Sequence, residues 1–86
     1  MAKTLSPGIY RMTDGTDPQR TWDIVVLPDG SLGSIAGNFE KKDIPPLGVH
    51  YVHEDISSVV IQFHADGSYG LVKPGPDSTG TWAQLS

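Results

Sequence analysis

The sequence predicts an all-β domain: a small antiparallel β-barrel or a two-sheet sandwich of about seven short strands. Three observations lead there. Residues 22–35 and 59–72 each combine a run of β-branched and aromatic residues, an Asp-Gly-Ser turn and a return run. The two stretches repeat each other, with Ile24 over Ile61, Asp29-Gly30-Ser31 over Asp66-Gly67-Ser68, and Gly33 over Gly70. Ten glycines and seven prolines punctuate the 86 residues, and no stretch carries a helical period.

Asp-Gly between such runs marks a hairpin, because glycine takes positive φ without a Cβ clash. A two-residue loop would pair Pro28 with Ser31 and ask Pro28 for an N–H it lacks. The expected turn is therefore a three-residue loop, a type I turn over Leu27-Pro28-Asp29-Gly30 closed by a left-handed glycine. That register puts Val59, Ile61, Phe63, Tyr69 and Leu71 on a core face, with Val60, Gln62, His64, Ser68, Gly70 and Val72 facing away. In the first hairpin Trp22, Ile24, Val26 and Leu32 make the core face, and Val25, Leu27 and Ile35 are left on the other.

In chain order, Pro7-Gly8 opens a strand at about 9–13, and residues 14–18 are turn-rich. The first hairpin follows over about 21–37. Residues 38–48, which include Pro45-Pro46, read as the longest irregular connection, since paired prolines hold an extended, donor-poor backbone. A strand at about 49–53 precedes the second hairpin, residues 73–80 form a second rigid loop, and 81–85 close as a final strand. Each half is then a strand plus a hairpin. This pseudo-repeat favours two three-stranded meanders packed face to face, with the last strand sealing one edge.

The length fits one domain, 1–86, able to bury only about 60–65% of the surface its unfolded chain exposes. There is no cysteine, hence no disulfide framework and no thiolate zinc site, which fits a reducing compartment. The first residues hold no apolar signal region, and no apolar run approaches the roughly 20 residues that span a bilayer. The expectation is a soluble, cytoplasmic protein without a membrane partner. Net charge is −4, and of the six basic residues only Lys41 and Lys42 are adjacent, so nucleic acid is not an expected partner.

His50, His53, Glu54, Asp55 and His64 resemble a metal or acid–base cluster. On a strand, however, residues three apart point to opposite faces, so His50 and His53 do not share a metal and read as surface histidines beside a turn. Ser57 or Ser58 with His64 and Asp66 lacks a nucleophile-elbow sequence. Asp14, Asp17, Asp29, Asp66 and Asp77 sit beside Gly, Pro or Ser, where an aspartate caps its own turn. No catalytic, cofactor or metal site is expected, and the chain does not read as an enzyme. Gly80-Thr81-Trp82 resembles the Gly-x-Trp element of lipocalin-like barrels, which in that family lies near the start of the barrel rather than in its last strand. The resemblance covers three residues and carries over neither ligand nor pocket; on packing grounds Trp82 is expected to plug one end of the core with its N–H near the rim.

Two features point to partner binding. Val25, Leu27 and Ile35, with Val60 and Val72, exceed what a one-layer core can cover, which suits an interaction surface or a homodimer. Phe39, Ile44 and Leu47, beside Lys41 and Lys42, are set in a proline- and charge-rich segment suited to docking intact. The leading expectation is a non-enzymatic binding protein acting on an unidentified protein partner, of the inhibitor, phage accessory, anti-defence or neutralising type. The alternative is a small apolar-ligand barrel in which Trp22, Phe63, Tyr69 and Trp82 line the cavity. A further alternative is a structural subunit whose exposed edges pair between copies.

Overall fold

The computed structural model describes residues 2–35, 37–46, 48–75 and 77–86, with Ile44 described for its backbone alone. The described chain forms eight strands: β1 (Gly8–Asp14), β2 (Thr21–Val26), β3 (Leu32–Ser34), β4 (Gly37–Ile44), β5 (Gly48–His53), β6 (Val60–Phe63), β7 (Ser68–Val72) and β8 (Ser78–Gln84). Each pairs antiparallel with the next, and β8 returns to β1, with Met12 opposite Trp82, to close a barrel. Of the two expected architectures the barrel is the one formed. Closure gives each of the eight strands a neighbour on both sides, with Glu40 to Ile44 of β4 paired on the β5 side alone. Among the described residues no helix is long and apolar enough to cross a membrane.

The two Asp-Gly hairpins have the expected three-residue loops. The Gly30 N–H donates to the Leu27 carbonyl at 2.9 Å and the Leu27 N–H to the Ser31 carbonyl at 2.8 Å; the same pair of bonds recurs at Gly67–His64 (3.1 Å) and His64–Ser68 (2.9 Å). Gly30 and Gly67 lie at φ +92° and +93°, where a Cβ would be strained. Asp29 accepts from both the N–H and the hydroxyl of Ser31, and Asp66 does the same for Ser68. Val26 pairs with Leu32 and Phe63 with Tyr69, and all four are buried, as the alternation requires.

The connection expected at 38–48 is a strand instead. β4 pairs with β3 through Phe39–Leu32 and with β5 over six residue pairs, from Phe39–His53 to Ile44–Gly48. Gly37 to Phe39 pair on the β3 side and Phe39 to Ile44 on the β5 side, and this pairing outweighs the poor strand propensity of Glu40-Lys41-Lys42-Asp43. The prolines merely turn the chain between Ile44 and Gly48, and with β4 counted the strands number eight rather than seven.

Tyr10, Met12, Ile24, Val26, Leu32, Phe39, Tyr51, Ile61, Phe63 and Tyr69 fill the interior. One barrel end is stoppered by residues 2–7. Ala2 bridges to His64, the Lys3 N–H donates to the Phe63 carbonyl, and Leu5 is buried with its N–H donating to the Tyr51 hydroxyl at 3.2 Å. Tyr10 anchors the same segment through a bond from its hydroxyl to the Ser6 carbonyl. Trp82 packs edge-on against Tyr10 and Phe63, and its indole N–H donates to the His64 carbonyl at 3.1 Å, so it plugs this end as expected.

Candidate functional site

The other end is open. The loops leaving β1, β3, β5 and β7 surround a cup of about 490 Å³ lined by Trp22, Phe39, Val59, Ile61, Tyr69 and Leu71. Alternation on β2, β6 and β7 brings these side chains to the inner wall. Ile61 and Phe39 are fully buried and form the floor, whereas Trp22, Val59 and Leu71 are half-buried and form the walls. Trp22 meets Tyr69 edge-to-face, with ring centroids 6.2 Å apart at 90°.

Tyr69 owes its place to Gly80, which is buried opposite it on β8. A Cβ there would run into the Thr13 carbonyl and come within 2.7 Å of the tyrosine ring. The Gly-x-Trp element thus has a physical role at both barrel ends, its glycine admitting Tyr69 and its tryptophan sealing the opposite end. Burial raises the Tyr69 hydroxyl above its ordinary range, a hydrogen bond with Trp22 draws it back, and the nearby Asp14 carboxylate adds to the rise.

Asp14, Arg20 and Lys73 supply charge around the cup, and Ile35 stands at its rim almost fully exposed. Asp14 accepts from the N–H and hydroxyl of Thr16 at 2.8 and 2.7 Å and from the Asp17 N–H at 3.3 Å. Those bonds, those from Thr16 foremost, lower its pKa below the usual carboxylate value, and Arg20 contributes by charge. A second hollow of about 380 Å³ lies on the outside of the wall above Gly70, between His50, Val60, Gln62, Val72 and Thr79. It lies on the outer face of the strands rather than between converging loops. Compared with known proteins, the chain matches no family model, and no curated protein and no solved structure is similar enough to count as a relative.

The residues expected to bind a partner do not form one surface. Phe39 is 1% exposed and packs edge-on against His53, so it belongs to the core and the cup floor, and its role as an exposed docking residue is withdrawn. Lys42 faces outward in an ion pair with Glu40 at 3.5 Å, while the Lys41 side chain lies over the Gly30 turn at the closed end. Leu47 and the side chain of Ile44 fall outside the described residues. Val25 and Leu27 are exposed on the outer face, where Ile9 lies directly opposite Val25 on β1; Ile35 stands apart at the open rim.

The histidines are also redistributed. His50 and His53 are each 7% exposed, so the expectation of surface histidines is corrected. As their spacing required, they lie on opposite faces: His53 points inward beside Phe39, and His50 borders the outer hollow. The Nδ1 of His53 accepts the N–H groups of Asp55 and Ile56, both at 3.1 Å, and so ties down the β5–β6 loop. Ser57 and Ser58 precede β6 at the open end while His64 and Asp66 follow it at the closed end, so the three residue types never meet. Among the described residues no three metal-ligating side chains come together.

Trp22 and Tyr69, two of the four residues named for a ligand cavity, do line the cup; Phe63 and Trp82 pack into the closed end instead. Arg20 and Lys73 were missed, and Val59, expected on the core face, was not expected at a cavity. The signal of the two cations was present only as charged residues flanking two loops, which become neighbours when the barrel closes.

Proposed function

We propose that the protein is a non-enzymatic binding module that takes a small, largely apolar molecule into the open end of its barrel. The observation that carries this reading is the cup. Its volume of about 490 Å³ lies within the roughly 300–1,000 Å³ of ordinary ligand sites, and its apolar and aromatic wall carries a few charged groups at the mouth. The other end is stoppered by Leu5 and Trp82, so a ligand has one way in. The two tryptophans stand at opposite ends and give the test. In Trp82→Phe an apolar ligand that binds changes Trp22 fluorescence, whereas in Trp22→Phe the same ligand leaves Trp82 emission unaltered. A broad apolar panel that never moves the Trp22 signal overturns the reading.

A second reading, contact with a protein partner or a second copy, is favoured by one observation. Ile9, Val25, Leu27 and Leu85 are 41–48% exposed, and Ile9 lies beside both Val25 and Leu85 on the outer face. If this face associates, Val25→Glu makes the protein monomeric at every concentration in sedimentation while leaving ligand binding in the cup intact. A wild-type protein that is monomeric throughout, alone and with its host's proteins, removes it.

A further inference from the structure

We infer that the cup selects an amphipathic organic acid, with its apolar body against Trp22, Phe39 and Leu71 and its carboxylate at the rim with Arg20 and Lys73. This rests on the cup being a ligand site. The protein has a formal charge of −4, yet its charged cup-lining residues run the other way: two cations, Arg20 and Lys73, against one carboxylate, Asp14. The surrounding loops, with Asp17, Glu54, Asp55 and Asp77, keep that end acidic as a whole, so a carboxylate is recognised there by direct contact with the two lining cations rather than by the field of the barrel end.

Asp14 keeps its charge but is held by its own turn rather than by an ion pair with either cation. Its Oδ1 is committed to three donors of its own turn, Thr16 N–H, Thr16 hydroxyl and Asp17 N–H. The ion pairs formed among the described residues, Arg11–Asp23 and Glu40–Lys42, involve neither Arg20 nor Lys73. Arg20 is fixed at its backbone, where its N–H donates to the Asp17 carbonyl at 2.9 Å and its carbonyl accepts from the Asp14 N–H at 3.0 Å. Its guanidinium therefore starts from a defined point on the rim. Lys73 is half-buried, with Asp77 as well as Asp14 in the small hollow it also borders. A cation at the edge of an apolar cavity acts through a lower effective dielectric than one in open water, so an incoming carboxylate gains more there than on the general surface.

The test compares 4-phenylbutyrate with 4-phenylbutan-1-ol, which share an apolar body and differ in the charged end. By titration calorimetry at low salt the acid binds about tenfold tighter than the alcohol, and the gap narrows in 0.5 M sodium chloride as screening takes over. Arg20→Gln and Lys73→Gln each remove a large part of the acid's advantage over the alcohol. If acid and alcohol bind equally, or the alcohol binds tighter, the anion inference fails while the cup stands. If neither binds and Trp22 never responds to the apolar panel, the cup reading fails and takes the inference with it.

Discussion

At the closed end of the barrel Leu5, Tyr10, Tyr51, Phe63 and Trp82 pack ring against ring, and the hydroxyls of Tyr10 and Tyr51 and the Trp82 indole N–H all find partners. At the open end Trp22, Val59 and Leu71 are only half-buried, and the walls stop short of filling the space between them. Both ends belong to the same eight strands. What separates them is residues 2–7, which fold back over one end and have no counterpart over the other among the described residues. Stability is therefore concentrated at the stoppered end, which leaves the other free to hold a ligand.

Core truncations sharpen this contrast most. Phe63 is fully buried between Tyr51 and Trp82, and Phe63→Ala is expected to cost about 3–5 kcal/mol. An 86-residue domain has roughly 4–13 kcal/mol in total, so the variant should be close to unfolding. Leu71→Ala, in the half-buried wall of the cup, should cost less than about 1.5 kcal/mol and lower the affinity for an apolar ligand. Urea unfolding of both variants measures the difference. Equal midpoints would mean that the two ends contribute alike to stability and that the open end is merely core.

The hairpins were legible in the sequence because their determinants are local. Pro28 lacks an N–H, Gly30 and Gly67 accept positive φ, and the alternation from Trp22 to Val26 and from Val59 to Phe63 fixes the inward face. β4 was not legible, because only Phe39 among its described inward positions is an apolar core residue and its pairing is supplied by β3 and β5. The cup was hidden for the same reason. It gathers Trp22 from β2, Phe39 from β4 and Tyr69 from β7, and only barrel closure makes them neighbours. Burial of His50 and His53 likewise follows from neighbouring strands rather than from their own spacing.

The smallest expected effects concern aspartates that cap turns at both ends. Asp29 and Asp66 at the closed end, and Asp14 at the open one, each accept from the N–H and the hydroxyl of the residue two positions on. Those bonds, the side-chain one first in each case, hold all three below the ordinary value of 3.8. A carboxylate whose pKa falls on folding stabilises the fold above its unfolded value, and the contribution is lost as pH drops through the folded one. Asp29→Ala, Asp66→Ala and Asp14→Ala should therefore each lower the urea midpoint slightly at pH 7, and the deficit should shrink as pH falls below 3.8 through the lowered folded values. In stability the three variants are alike. They part in binding: Asp14→Ala removes the one negative charge of the cup and should tighten 4-phenylbutyrate severalfold, while Asp29→Ala and Asp66→Ala leave it unchanged. Equal affinities in all three would separate the charge at the rim from ligand choice and leave the open end distinguished by shape alone.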